Sequence, residues 1–171
     1  MRQRTGRSEW ESAHAAKPRL VKSAEELDAL DHAGFEYAIR DLMRRDGFRA
    51  KRVGGAGDDV CDVWAVDLDG RVWTVQAKHR RDGKHGAAIG VDVLQRLKGT
   101  ASPVHRATFA LVVTNGRFTK SAVPWGHKHG IHLVDRDLLI AWAAASRPLW
   151  ELLDRVPPPL RHPADWQRGK A

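Results

Sequence analysis

Gln76 and Lys78 follow Val72, Trp73 and Val75 in a predicted strand, and Asp62 belongs to an acidic run just upstream. Side chains alternate faces along a strand, so Gln76 and Lys78 point to the same side, about 7 Å apart. A divalent cation of the Mg²⁺ type prefers oxygen ligands, here a carboxylate, an amide oxygen and the backbone carbonyl of Ala77. Lys78 beside such an ion could orient an attacking water and offset charge on a phosphate. The set suits phosphodiester hydrolysis, although the same residues could form an ion pair or an exposed strand face.

The sequence between these residues predicts a β-hairpin, because two β-rich runs flank Asp69 and Gly70. A two-residue turn would place Asp62 opposite Ala77 and therefore away from Gln76. A three-residue loop that begins one residue earlier would place Asp62 opposite Gln76, on the same face. The chemistry therefore predicts the longer loop, with Gly70 in the left-handed conformation that a type I turn with a G1 bulge requires.

Hydrophobic periodicity places this hairpin in a chain of alternating helices and strands. Five apolar residues recur at helical spacing and predict a core-facing helix over about 33–46, namely Phe35, Ala38, Ile39, Leu42 and Met43. The other predicted elements are helices over 23–31, 91–98, 119–129 and from 135 or 137 to 145, and strands over 48–53, 62–67, 71–78, 107–113 and 131–134. This order predicts an α/β domain with a mixed central sheet flanked by helices.

The length and composition favour one globular domain. The chain has 171 residues, of which 42% are hydrophobic. We expect a flexible basic arm over 1–22, the folded domain over 23–146 and a proline- and tryptophan-containing tail over 147–171 that packs loosely or binds a partner. The sequence shows no membrane span or export signal, and Cys61 is the only cysteine, which fits a cytoplasmic protein.

The charge favours a polyanionic partner. Lysine and arginine number 29 against 21 aspartate and glutamate residues, a formal net charge of +8. Such an excess is typical of nucleic-acid binding, although solvated surface charges would also explain it. The loop after Lys78 and the turn near residue 115 supply the candidate phosphate contacts, which are His79, Arg80, Arg81, Lys84, Asn115 and Arg117.

Five segments occur in order along residues 34–142: GFE (34–36) with GF (47–48), GGAGD (54–58) ending at Asp62, QAK (76–78), VVTNGRFT (112–119) and GIHLVD (130–135). Together they resemble the Mrr-like catalytic domain of type IV restriction endonucleases, within the PD-(D/E)xK nuclease superfamily. The resemblance implies a restriction-endonuclease-like core with Asp62 as the principal metal ligand, Gln76 as the second ligand and Lys78 as the catalytic lysine. Glu36 matches the helix acid that completes the metal site or holds its water network.

The resemblance implies a Mg²⁺- or Mn²⁺-dependent deoxyribonuclease that acts in restriction or another defence against foreign or modified DNA. Two features depart from the family pattern. The family loop often reads G-D-x-G-x-D, whereas no glycine stands between Asp58 and Asp62. Such enzymes also commonly carry a separate DNA-recognition domain, for which we expect no room here, so target choice would come from the basic loops, a homodimer or another protein.

Two alternatives remain open from the sequence. The first is a nuclease that resembles Holliday-junction resolvases, which share the superfamily core. The second is a DNA-binding module that has kept the fold and lost turnover.

Overall fold

A five-stranded mixed sheet forms the centre of the protein, in a computed structural model that describes residues 22–54, 60–101, 106–144 and 147–160. Its strands are β1 (Arg49–Arg52), β2 (Val63–Val66), β3 (Val72–Lys78), β4 (Phe109–Thr114) and β5 (Ile131–Val134). They lie side by side in chain order. The first three are antiparallel and the last three parallel, which confirms the predicted mixed sheet.

Helices cover both faces of this sheet. They are α1 (Ala24–Asp28), α2 (His32–Arg45), α3 (Val91–Ala101), α4 (Ala122–His129), α5 (Arg136–Ala144) and α6 (Leu149–Leu152), with a 3₁₀ turn at Gly83–His85. One core joins α1, α2, α5 and α6 to one face, and a second core joins α3 and α4 to the other. None of the helices in the described ranges is long and apolar enough to cross a membrane.

Local sequence determines where α2 begins and which side it buries. The Asp31 carboxylate accepts a hydrogen bond from Gly34 N at 2.6 Å and so caps the first turn. All five residues of the predicted apolar stripe are buried against the sheet. Because α2 packs on β1, β2 and β3, its flanking residue Glu36 lies close to the start of the hairpin.

The hairpin has the three-residue loop that the chemistry predicts. Val63 pairs with Val75 and Val66 with Val72, a register that would place Asp62 opposite Gln76 if it were extended by one residue. Asp67 N donates to Arg71 O at 3.1 Å, which closes the loop over residues 68–70. Gly70 has φ +81°, in the left-handed region. Both parts of the prediction are confirmed.

The prediction of a loosely packed tail is wrong for residues 149–156. Leu149, Leu153 and Val156 are buried in the same core as α2. Asp46, just after α2, anchors this segment, because its Oδ2 accepts hydrogen bonds from Leu149 N and Trp142 Nε1, each at 2.7 Å. Residues 161–171, the basic arm before Lys22 and the loop 55–59 lie outside the described residues.

Candidate active site

Asp62 is held at the entrance to β2 by backbone bonds to the strands on both sides. Its N–H donates to Val75 O at 2.8 Å, and its carbonyl accepts from Val53 N at 2.9 Å. The carboxylate Oδ2 accepts from Ala77 N at 2.7 Å and from the side-chain amide of Gln76. The hairpin register therefore brings Asp62 and Gln76 into direct contact, as the sequence predicts.

Gln76 and Lys78 extend from the middle strand of the sheet. Both lie on β3, where Gln76 is opposite Val112 and Lys78 is opposite Thr114 of β4. Gln76 is buried, at 5% exposure, and its amide nitrogen is committed to Asp62, so the amide oxygen is the atom left to accept or ligate. Lys78 is half-buried and its charge acts on the Asp62 carboxylate.

Glu36 reaches the same place from α2. A Cβ atom added at Gly54 would lie 3.0 Å from Glu36 Oε2 and 3.3 Å from Asp62 Oδ1, so both carboxylates border the space above this glycine. Any larger residue at position 54 would push into these oxygens. Glu36 Oε2 also accepts from Arg52 Nε at 2.5 Å, an ion pair in which the two side chains are 15% and 27% exposed.

The electrostatic environment of Asp62 disfavours its ionised form. Burial is the main cause that raises the pKa of this carboxyl group, and the nearby charge of Glu36 raises it further. The Ala77 N–H, the Lys78 ammonium and the Gln76 amide act in the opposite direction without cancelling the effect of burial. A cation bound between the two acids would favour the ionised state that burial opposes.

The donor atoms fit a hard divalent cation. Asp62 and Glu36 supply carboxylates, and Gln76 supplies an amide oxygen. The N–H and C=O of one residue in a strand face the same edge, so the carbonyl of Ala77 faces the side on which its N–H meets Asp62. Within the described ranges no three His, Cys, Asp or Glu side chains cluster as metal ligands, so a site here depends on amide and carbonyl oxygens as well.

Three of the six residues predicted to contact DNA have exposed side chains. Arg81, Lys84 and Arg117 face solvent in the loops that follow β3 and β4. Arg117 Nε donates to Lys84 O at 3.1 Å, which joins the two loops. Arg80 is half-buried, and its Nε donates to Ala87 O at 2.8 Å, so this guanidinium is partly used to hold the loop.

The prediction that His79 and Asn115 contact DNA is wrong for the side chains, because both are buried. His79 is 6% exposed; its Nε2 lies 3.2 Å from Asp28 O and its ring packs against Phe35. Asn115 is 1% exposed, and its amide accepts from Arg80 N at 2.6 Å and donates to Arg80 O at 2.7 Å. Both residues position the loop rather than face a ligand.

Asn115 belongs to a polar cluster that the sequence did not indicate. Arg136 donates to both carboxylate oxygens of Asp28, at 2.7 and 2.8 Å, and Asn115 Nδ2 donates to the same carboxylate at 2.8 Å. The cluster ties α1 and α5 to the chain immediately after Lys78. Asp28 and Asn115 are 87 positions apart, so no local pattern could have joined them.

Two further residues beside the site were missed. Arg52, at the end of β1, forms an ion pair with Glu36. Helical spacing alone predicts that Glu36 pairs with Arg40, one turn away on the same helix. Arg40 instead pairs with Asp41 at 2.6 Å. Lys51 lies over the ring of Trp64 at 5.2 Å. The three basic residues among the four of β1 were the available signal for an edge strand that carries basic side chains.

The model of the Mrr_cat family, described as restriction endonuclease, matches residues 27–143. The chain belongs to this restriction endonuclease family. The matched range contains α2, the hairpin, all five strands and the four residues Glu36, Asp62, Gln76 and Lys78. The resemblance found in the sequence is thereby confirmed.

Solved structures were also found to be similar to this domain. It superposes on a protein of unknown function, AF1548, with a TM-score of 0.50 and 20% identity, over 58% of this chain and 55% of that one, which shows a shared fold. A structure of the MspJI restriction endonuclease in complex with a 27-mer oligonucleotide gives a TM-score of 0.49 and 17% identity, over 85% of this chain and 37% of that one.

Part of the chain is also similar to a curated protein described as a reductase. Ferredoxin–NADP reductase 2 of Cupriavidus necator is 35% identical over 81 residues, which are 47% of this chain and 21% of the reductase. The chain therefore spans about a fifth of the length of the curated relatives that it matches.

Proposed function

We propose that this restriction endonuclease domain is a metal-dependent DNA endonuclease that hydrolyses phosphodiester bonds. The observation that carries the proposal is the contact of Asp62 with Gln76 and Ala77 N, with Lys78 one position further along the same strand face. Family membership alone would also suit a domain that has lost turnover. The convergence of a carboxylate, an amide oxygen and a lysine at one sheet position favours an active enzyme.

Asp62, Gln76 and the Ala77 carbonyl would hold Mg²⁺ or Mn²⁺, with Glu36 at the rim. When bound, such an ion supplies Lewis-acid polarisation of the phosphate and a more acidic water. Lys78 Nζ would orient the attacking water and stabilise charge on the phosphoryl oxygens. The attacking water gives up one proton to solvent and its oxygen forms a new bond to phosphorus, as one phosphorus–oxygen ester bond breaks and the leaving oxygen takes up one proton.

DNA as the substrate is supported by charge and position. The exposed residues Arg81, Lys84 and Arg117 lie beyond the carboxyl ends of β3 and β4, beside the strand that ends at Lys78. Lys51 is exposed on the same sheet face as Gln76. It pairs with Trp64, and Trp64 pairs with Thr74. Thr74 is two residues before Gln76 on β3 and therefore shares its face. We propose that these basic side chains bind the phosphate backbone and that the enzyme serves restriction or defence in the cytoplasm.

A cleavage panel tests this function. The protein is incubated with linear duplex, methylated duplex, single-stranded and four-way-junction DNA, each with Mg²⁺, Mn²⁺ or EDTA. The proposal predicts cleavage of duplex DNA with either metal and none with EDTA. Cleavage confined to the junction would favour a resolvase-like nuclease, and DNA binding without cleavage of any substrate would indicate a binding module.

A further inference from the structure

Arg52 is bound to the Glu36 oxygen that lies nearest to the space shared with Asp62. A Cβ atom placed on Gly54 would have Glu36 Oε2 as its nearest neighbour, at 3.0 Å, and Asp62 Oδ1 at 3.3 Å. The same Oε2 accepts from Arg52 Nε at 2.5 Å. A guanidinium and a divalent cation placed against one oxygen would repel each other, and more strongly here than in open water because both side chains are partly buried.

The guanidinium of Arg52 also contacts an aromatic ring. It lies over Tyr37 at 5.1 Å, and Tyr37 is 43% exposed. Arg40 lies over the same ring at 4.7 Å but pairs with Asp41 and not with Glu36. Arg52 and Arg40 thus share a charge, a side-chain type and an aromatic neighbour, and differ in whether they bind an acid of the candidate site.

We propose that Arg52 competes with the divalent cation for Glu36 and thereby couples metal binding to DNA binding. The inference rests on the proposed function, because it requires a cation between Glu36 and Asp62. A DNA phosphate offers Arg52 a second anionic partner that matches its forked donors. Once Arg52 binds the phosphate, Glu36 is released to the cation. Metal therefore strengthens DNA binding, and DNA strengthens metal binding by the same factor.

The first experiment measures Mn²⁺ affinity by titration calorimetry on the full chain without DNA. Arg52→Gln is expected to bind Mn²⁺ about fivefold or more tightly than wild type, since the competitor for Glu36 is gone. The matched control Arg40→Gln removes an equal charge from the same ring and is expected to change the affinity by less than about twofold. Equal affinities for Arg52→Gln and wild type, or equal gains in both variants, overturn the proposal.

The second experiment tests whether the effect passes through Glu36. In a Glu36→Gln background, Arg52→Gln is expected to give no further gain in Mn²⁺ affinity. A gain that persists there shows that Arg52 acts through general charge, and the proposal fails. If Arg52→Gln does not show a cooperative unfolding transition, Arg52→Lys replaces it, with a gain in the same direction expected because lysine has no donor at the position of Nε, which bonds Glu36.

The third experiment measures the coupling itself. In a Lys78→Ala background, which keeps the duplex intact, Mn²⁺ is expected to raise duplex affinity about fivefold or more, and Arg52→Gln is expected to reduce that gain to less than about twofold. Asp62→Asn separates the two proposals. If it abolishes Mn²⁺ binding while Arg52→Gln has no effect, only the competition is wrong; if neither wild type nor Arg52→Gln binds Mn²⁺, both proposals are wrong.

Discussion

At the scale of single residues, Asp62 is the group whose environment is least explained by folding alone. Its carboxylate is partly buried, faces a second carboxylate from Glu36, and is stabilised by the Ala77 N–H and the Gln76 amide. Burial and Glu36 together raise its pKa. The ionised Asp62 carboxylate therefore destabilises the folded state. Functional residues often lower stability in this way.

Asp62→Asn is therefore expected to stabilise the protein at neutral pH. Because the folded-state pKa of Asp62 lies above the unfolded value, the folded state binds more protons between the two values. Stability thus falls as pH rises through the folded pKa. Asparagine stays neutral, and its amide nitrogen would face Glu36 in place of Oδ1.

Thermal unfolding with EDTA, measured across pH, checks this expectation. The advantage of Asp62→Asn should be largest at neutral pH and shrink as the pH falls toward the ordinary range of an aspartate. A variant that is less stable than wild type at neutral pH would contradict the account of this residue.

At the scale of elements, the hairpin loop decides whether the site exists. Three loop residues place Asp62 opposite Gln76, and a loop of two would turn Asp62 to the other face. Gly70 permits the longer loop because it adopts φ +81° without a side chain. The space around it is open, so backbone conformation alone limits substitution there.

Two glycine-to-alanine substitutions test this interpretation of the loop. Gly70→Ala is expected to destabilise the protein by about 1 kcal/mol, through strain in the left-handed region. Gly99→Ala lies in α3, also with open space around it, and is expected to stabilise by roughly 0.5–1 kcal/mol through helix propensity. Chemical denaturation measures both; equal effects would show that the conformation at Gly70 is not what the position requires.

Much of the element pattern could be predicted from local sequence, and tertiary contacts explain where prediction failed. The apolar stripe on α2 could be predicted because its helical spacing repeats over two turns. The hairpin register could be predicted because the candidate site requires Asp62 and Gln76 on one face. The burial of Leu149 could not be predicted from the sequence around it, which is rich in proline and resembles a tail. Its backbone bond is to Asp46, which is 103 positions away. His79 and Asn115 look like loop residues, and only the fold shows that Asp28 lies beneath them.

At the scale of the whole molecule, the exposed basic residues beyond the carboxyl ends of β3 and β4 lie next to the acidic site. Asp28 and Arg136 fix the chain after Lys78, so the exposed loop is held in place by partly buried polar contacts. A formal net charge of +8 gives the molecule a general attraction to polyanions. The loop after β3 adds the positive charges of Arg81 and Lys84 a few residues beyond Lys78.

DNA affinity is expected to fall steeply with salt. Each phosphate contact contributes about 0.9 to the slope of log affinity against log salt, so Lys84→Ala should reduce the slope by about 0.9. Lys98→Ala is the matched control, because Lys98 is also exposed but lies near the end of α3, which leads toward the amino end of β4.

Fluorescence anisotropy of a labelled duplex with EDTA, at several salt concentrations, measures these slopes. A flat response in wild type would argue against DNA as the partner. Equal slopes for Lys84→Ala and Lys98→Ala would argue against the loop as the contact surface.

The most direct test of the central claim is single-turnover cleavage of duplex DNA, with Mn²⁺ or Mg²⁺, by wild type, Asp62→Asn and Lys78→Ala. We expect wild type to cleave, and both variants to lose at least about 10²–10³-fold in rate while they remain folded and bind the duplex. Asp92→Asn, which changes an exposed acid on α3, serves as the control and should cleave like wild type. Cleavage by Asp62→Asn or Lys78→Ala at the wild-type rate would contradict the assignment of these residues to the active site.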